Sequence, residues 1–181
     1  MKLLNSKSSH GLLTIVIHWS MALMVICLFG LGVYMVDLTY YDEWYKSAPH
    51  IHKSIGFILA VLLGTRVVWR LANITPDAAL GVKPWENKAS HLVHMILYLV
   101  PFALIITGFL ISTADGRGID VFNWFEIPAL LPASKGREDI AGEIHELLAY
   151  GLVSVAALHA LAAFKHHFLN KDRTLVRMLK P

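Results

Sequence analysis

Long stretches without a charged side chain constrain the fold of this chain more than any other feature. Residues 11–36 and residues 89–114 each form a run of 26 residues without Asp, Glu, Lys or Arg. Residues 147–164 form a third run of 18, and residues 54–65 a shorter one of 12. About 20 apolar residues are enough to cross the ~30 Å hydrocarbon core of a bilayer as a helix, so the runs predict four transmembrane helices. They are expected at about residues 11–36, 49–71, 89–114 and 139–165.

The connections between the predicted helices are short, which favours an all-α, up-and-down four-helix transmembrane bundle. No repeat or linker interrupts the sequence, so residues 1–181 are expected to form a single domain. Placing both termini in the cytoplasm puts eleven Lys and Arg residues on that side and five on the other. Basic residues are enriched in cytoplasmic loops, so this is the predicted orientation. The sequence pI near 9.0 is then explained by contact with anionic lipid and predicts no nucleic-acid partner.

Of the ten histidines, His18, His52, His145 and His159 stand out within the predicted helices, because an ionisable side chain inside a membrane is a functional hypothesis by default. His145 and His159 are 14 residues apart, about 40° short of four helical turns, so both project from nearly one face. They are separated by roughly 21 Å along the helix axis. His159 and His18 lie at similar depths from the cytoplasmic side, and His145 and His52 lie near the outer side. Depth therefore predicts the pairs His18–His159 and His52–His145.

Two facing imidazoles suit several metals, among them zinc, copper and iron. Zinc normally takes three or four protein ligands, and no carboxylate or thiolate is expected at the depth of His18 and His159. A low-spin haem iron needs only two axial ligands, and with both filled it is suited to one-electron transfer rather than oxygen binding. Interhelical hydrogen bonding is the structural alternative. Small residues that would give a haem room, or serve plain helix packing, are Gly30, Gly32, Gly56, Gly64, Gly108, Gly142 and Gly151.

Other polar residues support less specific interpretations. Arg66 and Arg70 either contact the propionates of the cytoplasmic haem or simply supply positive charge to the cytoplasmic side. His91 and His94 are interpreted as a polar pair at the start of the third helix, with a propionate or quinone contact as the alternative. Residues 72–88 are expected to be a polar turn, and residues 119–131 to lie on the bilayer surface. The remaining histidines are expected in a loop, for His50, or at solvated or lipid-facing interfaces, for His10, His166 and His167.

Several motifs resemble those of the bacterial cytochrome b561 family. They are IHW at 17–19, HKSIG at 52–56, RVVWRL at 66–71, LISTADG at 110–116 and ALHALAAFKHHFLNKDRTLVRM at 157–178. The resemblance covers essentially the whole chain and implies two b haems, held by His18 and His159 on the cytoplasmic side and by His52 and His145 on the periplasmic side. The spacing of the fourth-helix histidines also resembles cytochrome subunits of membrane-bound formate dehydrogenases and hydrogenases.

The resemblance further implies electron transfer across the bacterial inner membrane, coupled to the quinone pool. The expected activity is that of a quinone oxidoreductase that passes electrons from superoxide or another periplasmic donor to ubiquinone. The main alternative is an electron-relay subunit that serves a separate dehydrogenase or periplasmic partner, with docking expected at residues 115–138. A more distant alternative is a histidine-lined metal transporter without haem. The expected partners are membrane lipid, quinone, and a donor protein or dehydrogenase subunit.

Overall fold

The structure, a computed structural model, describes residues 3–77 and 81–181. It contains four long helices, each long and apolar enough to cross a membrane. They are α1 (Leu12–Val36), α2 (Ser47–Ala72), α3 (Pro84–Ser112) and α4 (Arg137–Phe168). The predicted all-α fold with four transmembrane helices is therefore confirmed.

The helices pack as two pairs, α1 along α2 and α3 along α4, with fewer contacts between the pairs. Ile17, Met21 and Leu59 belong to an apolar cluster that joins α1 to α2 and is covered by side chains of α3. Many large apolar side chains instead point outwards, such as Leu147 of α4, which is 74% exposed. Such a surface is stable only against lipid, which agrees with four membrane-spanning helices.

We name the two ends of the bundle by the segments that lie there. At the terminal face, α1 and α3 begin and α2 and α4 end, and this face carries the described segments that precede α1 and follow α4. Its segments are tied together by side chains, since the Trp19 indole N–H donates to the Met178 carbonyl at 2.7 Å and Arg177 donates to the Asp77 carbonyl at 2.8 Å. At the opposite end, the hairpin face, a short antiparallel hairpin of β1 (Ile119–Val121) and β2 (Phe125–Ile127) follows α3.

The hairpin is a feature that sequence analysis did not predict. Phe122 and Asn123 both have positive φ, 50° and 58°, and the Trp124 N–H donates to the Val121 carbonyl at 2.9 Å, as in the tight turns that suit hairpins. Val121 is only 1% exposed. The Phe122 N–H donates to the hydroxyl of the fully buried Ser54 at 3.0 Å, so the hairpin is pinned to α2.

The structure corrects two predicted boundaries. Helix α3 begins at Pro84, so the predicted turn at 72–88 is too long. Proline is favoured in the first turn, and the Glu86 carboxylate accepts the Lys83 N–H at 3.0 Å, which caps the helix start. Glu86 also forms an ion pair with Lys165 of α4. Helix α2 begins at Ser47, so His50 lies in a helix and the prediction of a loop there was wrong.

Candidate functional site

The four histidines singled out by depth meet in two pairs across the bundle. At the terminal face, the ring centroids of His18 on α1 and His159 on α4 are 6.4 Å apart, with ring planes at 71°. At the hairpin face, the centroids of His52 on α2 and His145 on α4 are 6.3 Å apart, with ring planes at 65°. The two pairs thus have nearly the same geometry, and α4 contributes one histidine to each.

This separation decides between two interpretations of the pairs. An imidazole nitrogen lies ~2 Å from a metal it binds and ~1 Å from its own ring centre, so two rings on opposite sides of one metal have centres ~6 Å apart. Two imidazoles joined by a direct N–H···N bond of ~3 Å would have centres only ~5 Å apart. The observed 6.4 Å and 6.3 Å therefore fit a shared metal between the rings better than a hydrogen bond.

Each imidazole of the hairpin-face pair lies against a glycine, where any side chain would crowd it. A Cβ atom at Gly32 would lie 3.4 Å from His52 Cε1, and one at Gly108 would lie 3.3 Å from His145 Cε1. Within the described residues, a Cβ at any of the other glycines proposed to give room would meet no atom within 4 Å. Gly32 and Gly108 are therefore the glycines that seat these rings.

The outer nitrogens of the hairpin-face pair differ in their partners. His145 Nδ1 lies 2.8 Å from the hydroxyl of Thr107 on α3. His52 Nδ1 is buried, and no hydrogen-bond partner for it lies within residues 3–77 and 81–181. One imidazole of the pair is thus oriented by a side chain and the other is not. Sequence analysis missed Thr107 because nothing local distinguishes it from other helix threonines.

At the terminal face a guanidinium group takes the corresponding place. Arg66 Nη1 and Nη2 lie 3.2 and 3.3 Å from His18 Nδ1, and Arg66 Nε donates to the Tyr98 hydroxyl at 2.9 Å. Guanidinium offers only donors, so His18 Nδ1 accepts in this arrangement. Arg70 lies over the Tyr98 ring, 5.6 Å from its centre, and does not reach a histidine of the pair. Of the two predicted propionate contacts, Arg66 is the one beside the histidine pair.

His94 is a functional candidate that sequence analysis undervalued. Its ring centre lies 5.3 Å from that of His159, with ring planes at 68°, and its side chain is half-buried. Because α3 begins at Pro84, His94 lies well inside the helix and not at its start, so its interpretation as a helix-start polar residue was wrong. His91 is exposed, as expected for a residue outside the site. The terminal-face pair thus has a third imidazole beside it.

Two histidines predicted to be solvated or lipid-facing have defined partners or environments. His166 Nδ1 lies 2.6 Å from a carboxylate oxygen of Asp172, in the segment after α4. Burial opposes ionisation of Asp172, but hydrogen bonds from Thr174 and His166 outweigh it and lower the pKa of this carboxyl. His10 is half-buried, and burial lowers its pKa, with smaller effects from Arg177 and other arginines. His10 and His166 thus have defined surroundings at the terminal face, beyond the solvated or lipid-facing position predicted for them.

The donor set suits a cofactor that supplies most of its own ligands. Within the residues that the structure describes, no three His, Cys, Asp or Glu side chains converge as a protein-bound metal ion would require. Each site instead presents two opposed imidazoles. A haem iron needs two axial ligands of this kind, since the macrocycle supplies the other donors.

Comparison with known proteins agrees with this geometry. Residues 9–181 match the protein family described as "Prokaryotic cytochrome b561". The chain is 43% identical over 179 residues to "Cytochrome b561 homolog 2" of Escherichia coli, covering 99% of this chain and 95% of that protein. It is 33% identical to "Probable superoxide oxidase CybB" of Yersinia pestis, covering 94% and 95%, and 26% identical to "Cytochrome b562" of Cereibacter sphaeroides, covering 93% and 94%. The chain therefore belongs to the prokaryotic cytochrome b561 family, whose members carry b-type haem and transfer electrons within the bacterial inner membrane.

Proposed function

We propose that this protein moves electrons across the membrane through two b-type haems, one held by His18 and His159 and the other by His52 and His145. The observation that carries the proposal is the repetition of one geometry, with ring centres 6.4 Å apart in the first pair and 6.3 Å in the second. Hydrogen-bonding histidines would not need such a separation twice. Arg66, which lies beside His18, is proposed to neutralise a haem propionate at the terminal face, and the exposed Arg70 is proposed to supply positive charge to that face.

The side chains have simple roles in this mechanism. When bound, each haem supplies the one-electron couple of its iron. His18 and His159 would hold one haem iron and His52 and His145 the other, and an iron held by two protein ligands would be suited to one-electron transfer rather than to oxygen binding. His145 and His159 share one rigid helix, so α4 fixes the separation of the two sites, roughly 21 Å along its axis. The lipid-facing apolar side chains keep water away from the path between them.

The proposed orientation places the terminal face in the cytoplasm and the hairpin face in the periplasm. Basic residues of α2, of the connection before α3 and of the segment after α4 gather at the terminal face, as expected for a cytoplasmic surface. A reporter fused after Pro181 tests this orientation, because alkaline phosphatase is active only outside the cytoplasm and green fluorescent protein is fluorescent inside it. An active phosphatase fusion would contradict the proposed orientation.

The relative named "Probable superoxide oxidase CybB" supports a specific donor. We propose that superoxide gives one electron at the hairpin face and leaves as oxygen. Two such electrons and two protons then convert one ubiquinone to ubiquinol. The alternative is a relay for a protein partner, which the exposed Trp124 and Leu130 of the periplasmic connection favour, with exposed fractions of 78% and 77%. The purified protein decides, because rapid reoxidation of its reduced form by a ubiquinone analogue supports the first function, and reaction only after a second subunit is added supports the relay.

Single histidine variants test the ligand assignment. His159→Ala should lose the terminal-face haem and retain the other, so the haem-to-protein ratio should fall from two to one. His91→Ala, which removes an exposed histidine, serves as the control and should keep both haems. His94→Ala should also keep both haems if His18 is the partner of His159. Loss of a haem in His94→Ala but not in His18→Ala would show that His94, and not His18, is the partner of His159. A wild-type protein without a b-type absorption band would refute the haem proposal itself.

A further inference from the structure

One hydroxyl group beside the hairpin-face pair makes three polar contacts. Thr107 Oγ1 lies 2.8 Å from His145 Nδ1, 3.0 Å from the Ala103 carbonyl oxygen and 3.1 Å from the Leu104 carbonyl oxygen. Thr107 is only 8% exposed, so solvent does not compete for these contacts. A hydroxyl carries a single hydrogen and two lone pairs. Since carbonyl oxygens only accept, the hydroxyl hydrogen is directed to them, and the hydroxyl oxygen accepts a hydrogen bond from His145.

This arrangement of hydrogen bonds requires one tautomer of His145. For the hydroxyl to accept, Nδ1 of the imidazole must carry the hydrogen. A neutral imidazole carries one hydrogen, so Nε2 is left with a free lone pair. A metal can bind only at that nitrogen.

We infer that Thr107 is a positioning residue for the hairpin-face haem, because it holds His145 in the tautomer and orientation that ligation requires. The inference rests on the proposed function, since it takes His145 to be a haem ligand. Partners of this kind orient a ligating histidine and raise its basicity. The adjacent Gly108 completes the seat, since a Cβ there would lie 3.3 Å from His145 Cε1.

No described side chain does for His52 what Thr107 does for His145. The buried His52 Nδ1 has no hydrogen-bond partner among the residues that the structure describes. Among the described residues, Thr107 is therefore the side chain that orients one imidazole of the pair, and no side-chain hydrogen bond at His52 would compensate for its loss. A more basic His145 also stabilises the oxidised iron relative to the reduced iron, so the Thr107 contact lowers the midpoint potential of the hairpin-face couple.

Three substitutions test the inference in the full-length, haem-loaded protein. Thr107→Val removes the hydroxyl but keeps the side-chain shape, and Thr107→Ser keeps the hydroxyl but removes the methyl group. Thr65→Val is the matched control, because Thr65 makes the same type of bond to its own helix, to the Val61 carbonyl at 2.8 Å, and is exposed. Each substitution is also made in a His18→Ala background, where only the hairpin-face haem should remain, and the midpoint potential is measured by spectroelectrochemical titration.

Thr107→Val should raise the midpoint potential of the hairpin-face couple. The expected change is about tenfold in the reduced-to-oxidised ratio at a fixed ambient potential, ~59 mV for one electron, as for the loss of one hydrogen bond. Thr107→Ser and Thr65→Val should keep the wild-type potential. An unchanged potential in Thr107→Val, or an equal shift in Thr107→Ser, would overturn the inference while leaving the two haems in place.

The haem content separates this inference from the proposed function on which it rests. Preferential loss of the hairpin-face haem in Thr107→Val, restored in Thr107→Ser, supports the inference. If Thr107→Val fails to assemble, Thr107→Ser and Thr107→Ala decide. The hydroxyl has the proposed role if Thr107→Ser keeps the wild-type midpoint potential and haem content while Thr107→Ala shifts the potential or loses haem. Equal potentials and haem contents in the two variants would overturn it. A wild-type protein that binds no haem would refute the proposed function before any variant is compared.

Discussion

Replacing Arg66 with glutamine should lower the midpoint potential of the terminal-face haem by ~100 mV. Arg66 Nη1 lies 3.2 Å from His18 Nδ1, and an imidazole ring with one metal–nitrogen bond adds ~4 Å, so the cationic charge lies ~7 Å from a metal bound to His18. A unit charge at this distance contributes ~2 kcal/mol at an effective dielectric constant of ~20. This energy corresponds to ~100 mV in a one-electron couple. A positive charge favours the reduced state, so its removal lowers the potential.

The assay is a potentiometric titration of Arg66→Gln and of Arg70→Gln as the matched control. Arg70 is exposed and contacts the Tyr98 ring instead of His18, so water screens its charge and its loss should shift the potential much less. Ligation of His18 through Nε2 would place the imidazole hydrogen on Nδ1, and the Arg66 guanidinium would then turn to a nearby acceptor such as a propionate. The sign of the Arg66 effect is unchanged by this, because the cation stays near the site. A shift below ~30 mV, or one to higher potential, would refute the electrostatic reasoning.

Two further predictions follow from the seat of the hairpin-face pair and from the C-terminal segment. Gly108→Ala should reduce haem occupancy of the hairpin-face site, because the added methyl would lie 3.3 Å from the His145 ring. Gly30→Ala is the control, since Gly30 is exposed and an added Cβ would meet no described atom within 4 Å. Equal haem-to-protein ratios in the two variants would contradict the prediction. The lowered pKa of Asp172 means that docking of residues 169–181 is strongest above the usual carboxyl pKa of ~4 and weakens as the pH falls through the lowered value. The protection factors of this segment against hydrogen exchange, which correct for the slower intrinsic exchange in acid, should therefore fall in acid, and also in Asp172→Asn at neutral pH. Protection that is the same in Asp172→Asn would exclude this anchor.

Local patterns were sufficient to predict the helices and the histidine pairs. Runs without charge mark the spans, and the 14-residue spacing of His145 and His159 gives their common face, since both depend only on helix geometry. The hairpin was missed because its stability comes from contacts such as that of Phe122 with Ser54, which is 68 residues away. His94 was misjudged because the predicted start of its helix was too late.

The partners of the outer Nδ1 nitrogens of His145 and His18 could be found only in three dimensions, and they bear on the direction of electron flow. In the proposed function, the Thr107 contact with His145 would lower the potential at the hairpin face, and the Arg66 charge beside His18 would raise it at the terminal face. Both effects would favour movement of electrons from the hairpin face to the terminal face, the direction that the proposed oxidation of a periplasmic donor requires. The two residues act on sites roughly 21 Å apart along α4, so their effects should add. In a protein with both Thr107→Val and Arg66→Gln, the difference between the midpoint potentials of the two haems should therefore shrink by the sum of the two single shifts. A difference equal to that of the wild type would show that neither residue sets the direction of electron flow.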